Sequence, residues 1–192
     1  MSQSIAFGSC HKVNDPNSDV ILTSIADKNP DAFIWLGDIV YGKDGDPEHL
    51  SKRFDQLKSK KTYQKLRQNT SVYGTWDDHD YGRNDGGGDY PLKKQSEALF
   101  LDFWKVPTND VRRQREGIYY ATFHQIGDIK IQMIFLDTRY FRSKLKKSPL
   151  KFTKRFTQYM PTQDKEATLL GDAQWLWLEQ ELSKSADIRI IA

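Results

Sequence analysis

Gly37 and Asp38 follow directly on an apolar run, AFIWL at 32–36, and Tyr41 comes three residues later. A buried strand that stops in Gly-Asp delivers a carboxylate to the edge of a sheet, where α/β proteins place their ligands. A charge there costs free energy unless it is paired or metal-bound. A second strand-like run, SVYGTW at 71–76, ends the same way, in Asp77, Asp78, His79 and Asp80, with Asn84 and Asp85 close behind. Two strand ends loaded with hard oxygen donors, one of them with an imidazole, read as a dinuclear metal site. Cys10 and His11 follow a first strand-like run, and Asp137 and Arg139 follow a run that ends in FLD. Phosphate-ester hydrolysis uses such a rim. Two cations about 3.5–4 Å apart clamp the attacking and leaving oxygens. A thiolate or phenolate ligand selects a transition metal over magnesium, and cationic or neutral donors stabilise the developing charge.

These residues need strands that end on one rim. IAFGS at 5–9, AFIWL at 32–36 and SVYGTW at 71–76 read as three strands, adjacent and parallel. Between them, DVILTSIA at 19–26 has helical spacing, with Ser18 or Asp19 as N-cap. Residues 48–67 carry Leu50, Phe54, Leu57, Tyr63 and Leu66 at helical intervals, which predicts one or two amphipathic helices. RNDGGGD at 83–89 is a glycine-rich loop, and QSEALFLDFW at 95–104 a helix closed by Pro107. IYYATFHQIGDIKIQMIFLD at 118–137 predicts two strands joined by a hairpin turn at Gly127-Asp128, the second alternating Ile129, Ile131, Met133 and Phe135. Residues 142–163 read as a basic loop longer than a compact domain carries without function. LLGDAQWLWLEQEL at 169–182 predicts a helix with Asp172 as N-cap, Leu176, Leu178 and Leu182 on its apolar side, and Trp175 and Trp177 as core packing. The chain stops in a last strand, DIRIIA at 187–192, where further site residues are expected. It therefore reads as the N-terminal portion of a longer domain.

Composition sets bounds on function. With 192 residues, five Trp, nine Tyr and ten Phe, the chain can bury a real core and is not disordered. It has no run of about 18 apolar residues, so no membrane span is expected. MSQSIAFGSC has neither a basic n-region nor a long apolar region, so it does not read as a secretory signal. The compartment, cytoplasmic or reached with a signal removed, and the oligomeric state are open from sequence. A single cysteine excludes an internal disulfide framework. A net charge of +3 does not by itself imply a nucleic-acid partner.

Each candidate has a plainer reading. A cysteine at a strand end is often a small buried hydrophobe, and Tyr41 alone is an ordinary rim aromatic. His11 reads as an exposed or hydrogen-bonding neighbour, and His49 and His124 as structural. Asn84 and Asp85, before Gly86-Gly87-Gly88, are either a ligand with a loop able to approach phosphate or an ordinary Asn-Asp-Gly turn. Arg139 either binds phosphate or pairs with Asp137 to brace the sheet end. The basic run Arg142, Lys144, Lys146, Lys147, Lys151, Lys154, Arg155 is either a solvated loop or, with Phe141, Phe152 and Phe156, a lid attracting anionic esters.

The motifs together resemble a known family. Gly37-Asp38-x-x-Tyr41 is similar to the motif of purple-acid-type metallophosphoesterases, and Trp76-Asp77-Asp78-His79-Asp80 to the Gly-Asn-His-Asp/Glu box of that superfamily, with Asp in place of Asn. Joined to Ser9-Cys10, Asn84, Leu136-Asp137-x-Arg139 and Leu170-Gly171-x-x-Gln174-Trp175-x-Trp177-Leu178, they resemble the PhoD-like alkaline phosphatase/phosphodiesterase family over essentially the whole chain. The resemblance implies an α/β class, specifically a metallophosphoesterase-type α/β/β/α sandwich, here incomplete at the C-terminus, with residues 1–192 as the N-terminal portion of the catalytic domain. It implies a hydrolase of small phosphate mono- or diesters whose multinuclear metal centre activates a nucleophile on phosphorus. Iron(III) would be held by Cys10, Asp38 and Tyr41, and calcium by Asp38 with Asp78 or Asn84; zinc or manganese suits many of the same ligands. His79 would contact the phosphate or its leaving oxygen, Arg139 would serve the phosphate, and Asp77 or Asp80 would orient the loop. The rival expectations are a truncated, non-catalytic phosphate- or metal-binding domain and, more weakly, a nucleic-acid module on the basic loop, for which no recognition module is present.

Overall fold

A computed structural model describes residues 4–148 and 158–192. The three apolar runs form β1 (Ile5–Gly8), β2 (Ala32–Leu36) and β3 (Ser71–Thr75), parallel and in the order β1-β2-β3. All but the last residue of β2 are buried on both faces, which is why AFIWL is a continuous apolar run rather than an alternating one. Phe33 and Trp35 face a helical layer of α1 (Pro16–Lys28), α2 (Pro47–Ser59), α3 (Lys61–Asn69) and, beyond the short α4 (Asp78–Tyr81), α5 (Lys93–Phe103). Ile34 faces the other way, into a second sheet.

That sheet is the expected hairpin, β4 (Tyr120–Ile126) and β5 (Ile129–Phe135), with Ile126 opposite Ile129 across the two-residue Gly127-Asp128 turn. Arg142 to Met160 contain a small ribbon, β6 (Lys146–Lys147) with β7 (Tyr159–Met160). Helix α6 (Asp172–Leu182) then leads to β8 (Ile188–Ile191), which lies parallel to β5. Ile34 packs on Ile131, Met133 and Phe135 between the sheets, while Ile134 packs on Leu170 and Leu178 beneath α6. The layers run helix, sheet, sheet, helix, the expected α/β/β/α sandwich.

Several local expectations are corrected. Asp15, not Ser18 or Asp19, caps α1, its Oδ1 accepting from the Asn17 N–H at 2.9 Å. Pro16 has a φ suited to a first helical residue, so the helix starts earlier than its apolar spacing indicates. Asp19 instead accepts from Lys60 Nζ at 2.6 Å and Thr62 Oγ1 at 3.1 Å, tying α1 to α3. In α6, Gly171 is the N-cap and Asp172 the first helical residue. The buried stripe is Gln174, Leu178 and Glu181, so Trp175 and Leu176 stand off it, 52% and 59% exposed, and Leu182 is exposed as well. Strand β5 does not simply alternate, because α6 covers its second face: Gln132 and Ile134 are as buried as Met133, while Ile129 is exposed. The basic stretch 142–163 is not wholly loop, since β6 and β7 pair at its base. Lys151, Phe152, Lys154, Arg155 and Phe156 lie outside the described residues.

Candidate metal centre

Asp38 leaves β2 in the left-handed region, with φ +51, immediately after Gly37 at φ +84. An aspartate tolerates that conformation only at a cost, so neighbours must hold it. Two buried side chains do so from opposite sides. The Asp80 carboxylate accepts the N–H of Asp38 at 3.3 Å and of Ile39 at 3.0 Å, and also that of Asp77 at 2.6 Å. His11 takes the carbonyls: its backbone N–H donates to Asp38 O at 2.9 Å, and its ring Nδ1 lies 3.1 Å from Ile39 O, so Nδ1 carries the proton. Burial holds the His11 pKa below its ordinary value, which keeps the ring neutral. His11 is thus a hydrogen-bonding neighbour as expected, but a buried one, against Trp35. Gly37 is required at the crossing, since a Cβ there would lie 2.5 Å from Asp77 Cβ.

So held, Asp38 is the hub of the site. Its Oδ2 accepts from Tyr41 Oη at 3.1 Å and lies 3.7 Å from Cys10 Sγ, and its Oδ1 accepts from the His79 N–H at 3.3 Å. Asp38, Asp78 and His79 each offer one ligand atom, all within 4.8 Å of one another. The His79 ring stacks on Tyr41 with centroids 4.2 Å apart. Helix α4 makes this possible: its first turn carries Asp78 and His79 together, and its Asp80 turns inward to the Asp38 loop.

Burial and like charge set the electrostatics of the cluster. Burial raises the Asp38 pKa, and nearby Asp78 and Asp77 add to that, against the pull of His79. Burial likewise raises the Tyr41 phenol, with Cys10 and Asp38 adding to it. A cation reverses each of these effects. The donor types are ones that metals take: the thiol of Cys10, the phenol of Tyr41 and Asp38 Oδ2 are of the kind that suits a transition ion, and Asp38, Asp78 and His79 could hold a cation.

The other candidates are placed differently. Asn84 is exposed; its amide donates to Asp85 Oδ2 at 2.9 Å and its N–H to Asp44 at 2.9 Å. Arg139 pairs with Asp77, Nε donating at 2.6 Å, rather than with the Asp137 carboxylate. Asp137 is fully buried and accepts from Trp76 Nε1 at 2.9 Å and from the N–H groups of Ile118, Arg139 and Tyr140, so it braces the sheet end. Gln174 seals the same point, its amide exchanging hydrogen bonds of 2.8 and 2.9 Å with the Asp137 backbone. The triple glycine cradles an arginine: Gly88 N–H donates to Arg142 O at 2.8 Å, and a Cβ on Gly87 would lie 2.8 Å from that oxygen. Sequence patterns carry no signal for Tyr159, and none that sets His11 against the Asp38 turn or Arg142 against Asp85; these contacts arise where distant loops meet. Asp80 does carry one, as the acid three residues into a capping box opened by Asp77.

Comparison with known proteins bears on family and fold. A family model described as PhoD-like phosphatase matches residues 5–192. No curated protein matches the chain. A solved structure titled "Structure of PhoD" superposes with a TM-score of 0.69 at 17% identity, over 97% of this chain and 40% of that one. At that identity the likeness is one of fold, and this chain spans well under half the length of its solved relative.

Proposed function

Since the chain belongs to the PhoD-like phosphatase family, we propose that residues 1–192 are the N-terminal portion of a metal-dependent phosphoester hydrolase domain, with Asp38 bridging two cations. One observation supports the reading: Asp38 Oδ2 accepts from Tyr41 Oη and lies 3.7 Å from Cys10 Sγ, while Asp38, Asp78 and His79 each offer a ligand atom within 4.8 Å of one another. Cys10, Asp38 and Tyr41 would hold iron(III), and Asp38 and Asp78 calcium, with zinc or manganese as alternatives; Asn84, turned to Asp85, serves better as a loop anchor than as a ligand. When bound, such cations would supply Lewis acidity toward a phosphoryl oxygen and a water. The chain's own groups do the rest. His79, held against Tyr41, gives a proton to the leaving-group oxygen. Arg139 adds positive charge at the rim that attracts a phosphate ester even while Asp77 holds its guanidinium. Asp80 and His11 keep the Asp38 turn in the conformation the site needs. Substrates on this reading are small phosphate esters, mono- or diester.

A phosphate- or metal-binding domain without turnover is the second reading, since Asp38, Asp78 and His79 could hold a cation whether or not an ester is cleaved. Elemental analysis of the purified chain, together with hydrolysis of a chromogenic phosphate mono- and diester, separates the two. Metal with turnover supports the hydrolase, and metal without turnover supports the binding domain. Asp38→Ala is expected to abolish metal loading; a variant that still binds metal like the wild type refutes the bridging role.

A further inference from the structure

Asp85 is gripped at all three of its polar groups. Its N–H donates to Asp78 Oδ2 at 2.8 Å. Its carbonyl accepts from Arg142 Nη2 at 2.5 Å, and the same nitrogen donates to Gly86 O at 2.8 Å. Its Oδ2 accepts from Tyr159 Oη at 2.7 Å and from the Asn84 amide at 2.9 Å. Asp85 is in the left-handed region, φ +53. Non-glycine residues hold that conformation when their surroundings over-determine it.

The two outside partners come from the two legs of one element. Arg142 lies just before β6, and Tyr159 lies in β7, where it pairs with Lys147. A ribbon with two paired residues a side has little stability of its own. Its seat on the domain therefore depends on contacts such as those at Asp85. The hydrogen bond from Asp85 also fixes the rotation of the Asp78 carboxylate, and groups that orient a ligand in this way tune its affinity for metal.

We propose that Tyr159 and Arg142 are positioning residues that couple the β6–β7 ribbon, through Asp85, to divalent-cation binding at Asp78. The inference rests on the proposed cation site at Asp38 and Asp78. Coupling of this kind is reciprocal: a seated ribbon strengthens cation binding, and a bound cation holds the ribbon seated. A phosphate ester drawn to the ribbon's lysines, Lys144, Lys146 and Lys147, would then change how tightly the centre holds its cation.

The test uses Mn2+ alone, titrated calorimetrically into the full chain, for the wild type, Tyr159→Phe and Asp78→Asn. Tyr159→Phe keeps the ring and removes only the hydroxyl. It is expected to weaken Mn2+ binding about 3- to 10-fold, below the range for a group touching the ligand directly, with Tm unchanged within about 2 °C. Tryptic cleavage after Lys146 and Lys147 supplies a readout that a merely structural role would not move. Mn2+ is expected to slow that cleavage in the wild type and to protect Tyr159→Phe less. Equal Mn2+ affinity and equal protection in Tyr159→Phe, with Asp78→Asn weakened, overturn the coupling alone. A wild type that binds no Mn2+, or an Asp78→Asn that binds it as well as the wild type, overturns the metal centre and the coupling with it.

Discussion

Replacing Asp80 with alanine tests how the site is held. The carboxylate is fully buried and accepts three backbone N–H groups, those of Asp77, Asp38 and Ile39, at 2.6, 3.3 and 3.0 Å. Burial pushes this carboxyl well above the ordinary range, while the Asp77 and Ile39 donors pull it back. Asp80→Ala strands those donors away from solvent at about 1–3 kcal/mol each. The vacated volume admits about one water, which can accept from two of the three. One donor then stays unpaired, so the expected net loss is about 1–3 kcal/mol, against a domain's usual 5–15 kcal/mol. Asp80→Asn keeps one acceptor oxygen but turns an NH2 toward a donor, and should lose about half as much. Urea unfolding in the presence of a chelator reads the loss as a lower midpoint at unchanged m. Because the left-handed Asp38 turn loses its clamp, Mn2+ affinity of the folded variant should also fall about 10- to 100-fold. A stability loss below about 0.5 kcal/mol refutes the desolvation argument. Lost stability with wild-type Mn2+ affinity refutes the link from Asp80 to the ligand.

Two further substitutions probe the surroundings. Gly37→Ala puts a Cβ 2.5 Å from Asp77 Cβ at φ +84; strain and overpacking together should cost about 2–4 kcal/mol, read as a clear drop in Tm, and an unchanged Tm refutes the close crossing. Glu97 has a buried Oε1 without a partner among the described residues, and its pKa is pushed up to about 7, chiefly by burial and then by Asp137 and Glu116. The folded state thus holds the proton more tightly than the unfolded chain, so stability present below about pH 4.5 falls as pH rises through about 7. Glu97→Gln should match the wild type near pH 4 and exceed it by about 1–2 kcal/mol at pH 8, after allowance for partial solvation; equal differences at both pH values in urea unfolding refute it.

The chemistry of this protein is largely written along the chain. Asp38 and the Asp78–His79 pair stand out as candidates because apolar runs stop abruptly in donors there. The Gly127-Asp128 hairpin and the order of strands and helices follow from period and turn chemistry, which are local properties of the backbone. The fold class and the family therefore follow from sequence. What only the tertiary structure decides is which backbone groups remain unpaired where segments far apart in sequence meet. Asp80 closes on the Asp38 turn from 42 residues away, His11 reaches it from 27 residues before, and Tyr159 meets Asp85 across 74. The three glycines look like a phosphate loop by composition, yet they wrap Arg142. Trp175 looks like core by hydropathy, yet it stands outside the buried stripe, because a helix buries whichever face meets its sheet. Residue types and spacing fix what the donors can do, whereas packing alone decides which of them are ligands and which hold the ligands still.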